Sequence, residues 1–239
     1  MKKIFLLVTL CLTVIMCLSS CTYNPPEGWT KKHHKYEEVL SFAKSIDPNA
    51  AVAEEYTDTV DEYDWEYREW NAKINGVDCH VACVSDWVWN DGVFAGEFVR
   101  VYYRIDTDHD NTVMQKILSE KYPEWKCDDS LRSRYHKERA LLVDLNLPEY
   151  RMLNDDEIEE VWQTAILINE EFNAVAIDRK VKFCVPSPGK YWSGTGDEYY
   201  VKKDSKTYFD DLTAKGKKEF LQEYKENWAL LDSNMPVSD

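Results

Sequence analysis

The sequence predicts an α+β fold: an antiparallel meander sheet over about residues 64–105, packed with helices. Three observations carry this expectation. Two turn signals, Asn75-Gly76 and Asn90-Asp91-Gly92, punctuate the segment. Between them apolar and polar side chains alternate with the period of a strand. On either side the apolar spacing returns to the helical period, with Tyr36, Val39, Leu40, Ala43 and Ile46 on one stripe.

The turns set the expected registers. Asn75-Gly76 suits a two-residue type I′ turn, because both positions need positive φ, and it places Ile74 opposite Val77. Asn90-Asp91-Gly92 suits a three-residue turn with a glycine bulge, placing Trp89 opposite Val93. One face then collects Trp70, Ala72, Ile74, Val77, Cys79, Val81, Cys83, Val101, Tyr103 and Ile105, so it faces a core. The other face mixes Trp65, Tyr67, Asn71, Lys73, Asp78, His80, Phe98, Arg100, Tyr102 and Arg104. On this register His80 lies between Asn71 and Tyr102, while Lys73, Asp78 and Arg104 alternate in charge across the strands.

The remaining elements follow in order. The first helix stops at Asp47-Pro48. After the meander, Asp106 to Asn111 caps a helix from about Thr112 to Lys121, ended by Tyr122-Pro123. A strand is expected at Leu141 to Leu147. Asp155-Asp156-Glu157 then opens a longer helix through Phe172, its acids at the positive end of the dipole. Further strands are expected near Ala174 to Ile177, Lys180 to Val185 and Glu198 to Lys203, before a final helix from Thr213 to Leu231. The stretches Glu37 to Ala53 and Glu159 to Ala176 echo one another, which suggests two similar α+β halves, 33–135 and 136–239, within one globular unit over 33–239.

The first residues carry an address. Lys2 and Lys3 precede an apolar run from Ile4 to Leu18, about 22 Å long as a helix and short of a hydrocarbon core of about 30 Å. Leu18-Ser19-Ser20-Cys21 follows, and this segment resembles the lipobox of bacterial lipoproteins. The resemblance implies a signal peptide over 1–20, lipidation of Cys21 as the mature N-terminus, and a tether over 21–32 containing Pro25, Pro26 and Gly28. It also implies residence outside the cytoplasm, held at the outer face of a bacterial cell membrane by acyl chains.

Charge narrows the partners. The whole chain has 29 basic and 44 acidic residues, net −15; without Lys2 and Lys3 this becomes 27 minus 44, or −17. Such a domain repels nucleic acid and attracts cations. Outside the leader and Cys21 there are four cysteines. Cys79 and Cys83, four apart on one strand face, are expected as buried thiols, whereas a bridge from Cys127 to Cys184 is left open.

No nucleotide, hydrolase or zinc signature is present, and no cofactor is expected. Ser41-Phe42-Ala43-Lys44 matches a Ser-x-x-Lys fragment without its companion motifs. Asp106, Asp108 and Asp110 alternate like the start of a calcium loop, but Ile117 stands where a closing Glu belongs, so helix capping is the stronger reading. The mixed face of the meander is the expected binding surface, with Trp65, Tyr67, His80, Phe98, Arg100, Tyr102 and Arg104 as its residues. The segment from Pro186 to Gly196, with Tyr191 and Trp192, is a second candidate. These features suit a non-catalytic recognition module for a protein, peptide or glycan. The rival readings are an extracellular hydrolase using paired carboxylates and an acidic inhibitor or immunity protein for a cationic partner.

Overall fold

A computed structural model describes residues 27–88, 100–135, 140–192, 199–233 and 236–238. The fold is α+β, built on two sheets. The first is a four-stranded antiparallel meander of β1 (Ala51–Val60), β2 (Glu66–Ile74), β3 (Val77–Val88) and β4 (Arg100–Thr107), in that spatial order. The second sheet is mixed and contains β5 (Trp125–Cys127), β6 (Leu141–Leu145), β7 (Val181–Trp192), β8 (Tyr199–Phe209) and β9 (Val237–Ser238). The described helices are α1 (Tyr36–Ile46), α2 (His109–Lys121), α3 (Leu131–Tyr135), α4 (Asp155–Asn173) and α5 (Ala214–Ala229). None of the described helices is long and apolar enough to cross a membrane.

The first hairpin forms as its turn requires, with φ of 50° at Asn75 and 78° at Gly76 and with Ile74 paired to Val77. Asp47 ties it to the end of α1, accepting the Asn75 N–H at 2.8 Å. The expected apolar face packs on α1: Val39, Ala43, Trp70, Ile74, Cys79, Val81 and Cys83 form one buried cluster.

The β3–β4 register differs from the expected one. Asp86, not His80, pairs with Tyr102, and Val88 pairs with Arg100. The expected Asn90-Asp91-Gly92 turn and Phe98 lie outside the described residues, between the end of β3 at Val88 and the start of β4 at Arg100. Tyr102 moves from His80 to Asp86, a shift of six positions, which is even. Each side chain thus keeps its face while changing its neighbour. A fourth strand, β1, joins the meander, with a register shift between Val52 and Tyr56.

The larger core belongs to the second sheet. Trp162 of α4 stacks on Phe209 with centroids 4.9 Å apart, and Phe209 meets Phe220 of α5 at 4.5 Å. Asn154 caps α4 by accepting from the Asp156 and Glu157 amides, and Glu157 returns the bond to Asn154 N at 2.9 Å. The strand expected at 174–177 is not formed. The amides of Ile177, Asp178 and Arg179 instead donate to one carboxylate, Asp110, so they have no strand neighbour.

β7 takes in the candidate segment from Pro186 as far as Trp192; the segment's last residues, 193–196, lie outside the described residues. Its parallel partner β6 ends at the Asp144–Cys184 pair, so Pro186 and Pro188 fall where no β6 acceptor awaits an N–H. At Gly189, beside a bulge, a Cβ would stand 2.4 Å from the Ser205 hydroxyl, so only glycine fits. The two suggested halves differ in topology: one sheet is all antiparallel, the other includes the parallel pairs β6–β7 and β8–β9, and β5 joins the second sheet.

All four described cysteines are free. Cys127 and Cys184 sit on strands separated by β6, about 10 Å at the usual spacing, beyond disulfide reach. Burial pushes the Cys79 and Cys127 thiols up to about 12 and Cys83 up to about 11, which leaves them protonated and unreactive.

Candidate functional site

The mixed face of the meander is covered, not open. Tyr67 and Tyr102 are 1% and 0% exposed. The short helix α3 lies over Tyr67, with Tyr135 and Leu131 joining Tyr67, Ala82, Val84 and Trp65 in a small apolar cluster. The Tyr135 hydroxyl donates to Glu69 at 2.5 Å, and Arg104 donates to the Tyr135 carbonyl at 2.6 Å. Burial raises the Tyr67 and Tyr135 phenols, so both act as neutral donors. Trp65 and Arg104 therefore support α3, and Arg100 contributes its backbone to the β3–β4 pairing. The expected Tyr67–Tyr102 platform is buried, and at Tyr67 a short turn from later in the chain occupies the face.

His80 has a different role from the expected one. Its Nδ1 lies 2.9 Å from Asp108 Oδ2, and its own backbone N–H donates to Asp108 Oδ1 at 2.6 Å. The hydrogen bond from Asp108, working against burial, raises the His80 pKa above its ordinary 6.5. This ring lines an open groove of about 580 Å³ with Asn71, Lys73 and Asp78. Cys79, its neighbour in sequence, also borders the groove, but it is 4% exposed, belongs to the apolar cluster on the other face, and burial holds its thiol protonated.

The alternating acids do not converge on a cation. Asp106 pairs with Arg104, Asp108 with His80, and Asp110 with His109 at 2.9 Å. All three are buried, and no group of three potential metal ligands occurs among the described residues. Asp110 accepts three backbone N–H groups at 2.8, 3.0 and 3.0 Å. Burial pushes its pKa up, but the His109 bond and those three amides outweigh it and hold the carboxyl below its ordinary value. Helix α2 starts between these acids, so the motif is a rivet joining the first sheet to the loop before β7. The expected capping is not formed: Asp108 stands at the N-cap of α2 without a side-chain cap hydrogen bond, and the three carboxylates are taken up by separate partners elsewhere.

The exposed chemistry is elsewhere and is segregated by charge. From Ser45 to Tyr67 the sequence contains no Lys, Arg or His, and it holds Asp47, Glu54, Glu55, Asp58, Asp61, Glu62, Asp64 and Glu66, a local charge of −8. These residues build β1, the β1–β2 turn and the start of β2. Glu54, Glu55, Asp58, Glu62, Asp64 and Glu66 are all exposed. Arg68 partly offsets one of them, bonding Asp58 at 2.9 Å while lying over the Tyr56 ring at 4.2 Å. Glu54, Glu55, Glu62 and Asp64 form no ion pair among the described residues. Tyr56 and Tyr63 stand beside them, 49% and 57% exposed. The signal is plain in the sequence as a basic-free window, but a whole-chain net charge averages it away.

The β7–β8 ribbon is the counterpart. Within those two strands lie Lys182, Lys190, Lys202, Lys203 and Lys206 against Asp204 alone. Lys190 sits 4.1 Å over Tyr199, and Trp192 is 59% exposed. The second expected segment thus forms an aromatic, basic surface on a domain of opposite overall charge. No family model, curated protein or solved structure matches this chain.

Proposed function

We propose that this chain is a lipid-anchored extracytoplasmic lipoprotein that acts as a non-catalytic capture module for a cationic partner. The observation that carries the reading is the basic-free stretch over residues 45–67, with its charge of −8 and most of its carboxylates exposed on β1 and the β1–β2 turn. Unpaired carboxylates grouped on one side raise the local concentration of cations and speed encounter, while adjacent exposed Tyr56 and Tyr63 supply apolar contact once the partner arrives. The lipobox-like Leu18-Ser19-Ser20-Cys21 supports the anchor. The burial of Tyr67 and Tyr102 supports a recognition surface on the outer hairpin over one on the sheet face.

Two experiments test this. Oligolysine binding is measured for the mature chain, for Glu54→Lys/Glu55→Lys/Glu62→Lys, and for Glu120→Lys/Glu170→Lys/Glu223→Lys, which makes the same charge change on exposed helical positions. The hairpin variant should lose about tenfold or more in affinity and the helical variant much less. Equal losses would mean that net charge alone binds, and the assignment would fail. Mass spectrometry of the mature N-terminus tests the anchor: an acylated Cys21 is expected, and an unmodified end at another residue rules it out.

A further inference from the structure

We infer that the outer edge of β1 is a strand-addition site for an extended basic segment of the partner, an inference that rests on the capture reading above. Among the described residues β1 is an edge strand: the order β1-β2-β3-β4 leaves one side of it without a strand neighbour. It is ten residues long and none of them is buried, so it meets solvent on both faces as well as along that edge. A strand in this position presents alternate N–H and C=O groups outward, the template that an added strand uses. From Tyr56 to Val60 the pairing with β2 runs without interruption, from Tyr56–Trp70 to Val60–Glu66, so this half of the strand is regular. The irregular half, Ala53 to Glu55, lies between the Val52 and Tyr56 pairs and breaks any longer template.

The same features choose the occupant. Asp58 lies midway along the regular run, with Glu54 and Glu55 before it and Asp61 and Glu62 after it. Antiparallel pairing with a second copy of β1 would bring these carboxylates together, so the edge resists self-association as charged edges do. A strand with Lys or Arg at alternate positions meets opposite charge instead. A recess of about 320 Å³ adjoins the edge, lined by His33, Asp58, Val60, Glu66 and Arg68. Its carboxylates stand at the surface and are already partly engaged among the described residues: Arg68 bonds Asp58 at 2.9 Å, His33 lies 3.4 Å from Glu66, and the Tyr103 hydroxyl donates to Glu66 at 2.9 Å. One long cationic side chain of the added strand fits this recess, with its stem against Val60 and its head shared by Asp58 and Glu66. Backbone pairing then supplies the bulk of the affinity, and alternate side chains supply the charge selectivity.

The test uses the mature full-length chain and three octapeptides: alternating Lys-Val, alternating Glu-Val, and the Lys-Val peptide with N-methyl groups on alternate residues. The Lys-Val peptide should bind and protect β1 amides between Thr57 and Val60 from hydrogen exchange. The Glu-Val peptide should not bind, and N-methylation, which removes donors but no charge, should weaken binding about tenfold or more. Asp58→Asn/Glu66→Gln should weaken the Lys-Val peptide and leave the Glu-Val peptide unbound. If the methylated peptide binds as well as its parent, strand addition is overturned while charge-based capture survives. If oligolysine discriminates the hairpin variant but no peptide protects β1, the same conclusion follows. A concentration-dependent dimer that protects the β1 edge without peptide would also overturn the proposal, by giving the edge to a second copy.

Discussion

The two sheets differ in how they are stabilised and in what they leave free. Around the second sheet, twenty buried apolar residues form one cluster among the described residues, with Trp162, Phe209 and Phe220 in contact. Around the first sheet the corresponding cluster has nine, covered among the described residues by α1 and by Ile177. β1 contributes none of them. A strand that buries little can change sequence at little cost in stability. It can therefore carry a dense, unneutralised charge that a core strand cannot. The lesson is that the second sheet stabilises the molecule, and the outer hairpin of the first is available for recognition.

Large substitutions should separate the two regions. Trp162→Ala removes a ring stacked on Phe209 and near Phe220, and a loss of about 3–5 kcal/mol is expected. Val60→Ala, at a position 56% exposed in β1, should stay within about 0.5 kcal/mol. Denaturant unfolding of both variants reads this contrast, and comparable losses would refute it.

The rivet between the sheets should give the next largest effect. Asp110→Ala strands the amides of Ile177, Asp178 and Arg179, and a buried unsatisfied donor costs about 1–3 kcal/mol, so a total of about 3 kcal/mol or more is expected. Because the folded carboxyl titrates below its ordinary 3.8, its stabilisation is present above pH 3.8 and is lost as the pH falls through the lower folded value. His80 has the opposite sign. Its folded pKa lies above 6.5, so its contribution is full below pH 6.5 and fades as the pH rises through the raised value. A pH series of Tm should show the acid limb flatten in Asp110→Ala and the limb above pH 6.5 flatten in His80→Gln. An unchanged limb in either variant would remove that group from the linkage.

Much of the first sheet was legible because its information is local. Asn75-Gly76 fixes a register through backbone sterics, and the alternation beyond it fixes which side is core. Parity even protected the face assignments when the β3–β4 pairing moved by six positions. What was not legible depends on contacts distant in sequence. Nothing near Tyr67 announces that Leu131 and Tyr135 will cover it. Nothing near Ile177 announces that its amide will go to Asp110, 67 residues earlier. The parallel pair β6–β7 has the same character, since a crossover containing α4 separates its strands. The acidic hairpin was legible in the sequence, as a run of charge rather than as a motif, and its exposure required the strand order.

Smaller effects should sharpen the contrast in charge. Lys190→Ala and Lys202→Ala in the basic ribbon should change stability by less than about 1 kcal/mol and leave oligolysine binding intact or slightly improved, because they remove like charge. Titration calorimetry checks this; weakened oligolysine binding would place the cation site on the ribbon instead.

The most direct test of the account is the rate at which the alternating Lys-Val peptide associates with the mature chain as ionic strength rises. A hairpin that gathers cations predicts a steep fall in rate for the parent and a shallow one for Glu54→Lys/Glu55→Lys/Glu62→Lys. Parallel curves for the two proteins would contradict it.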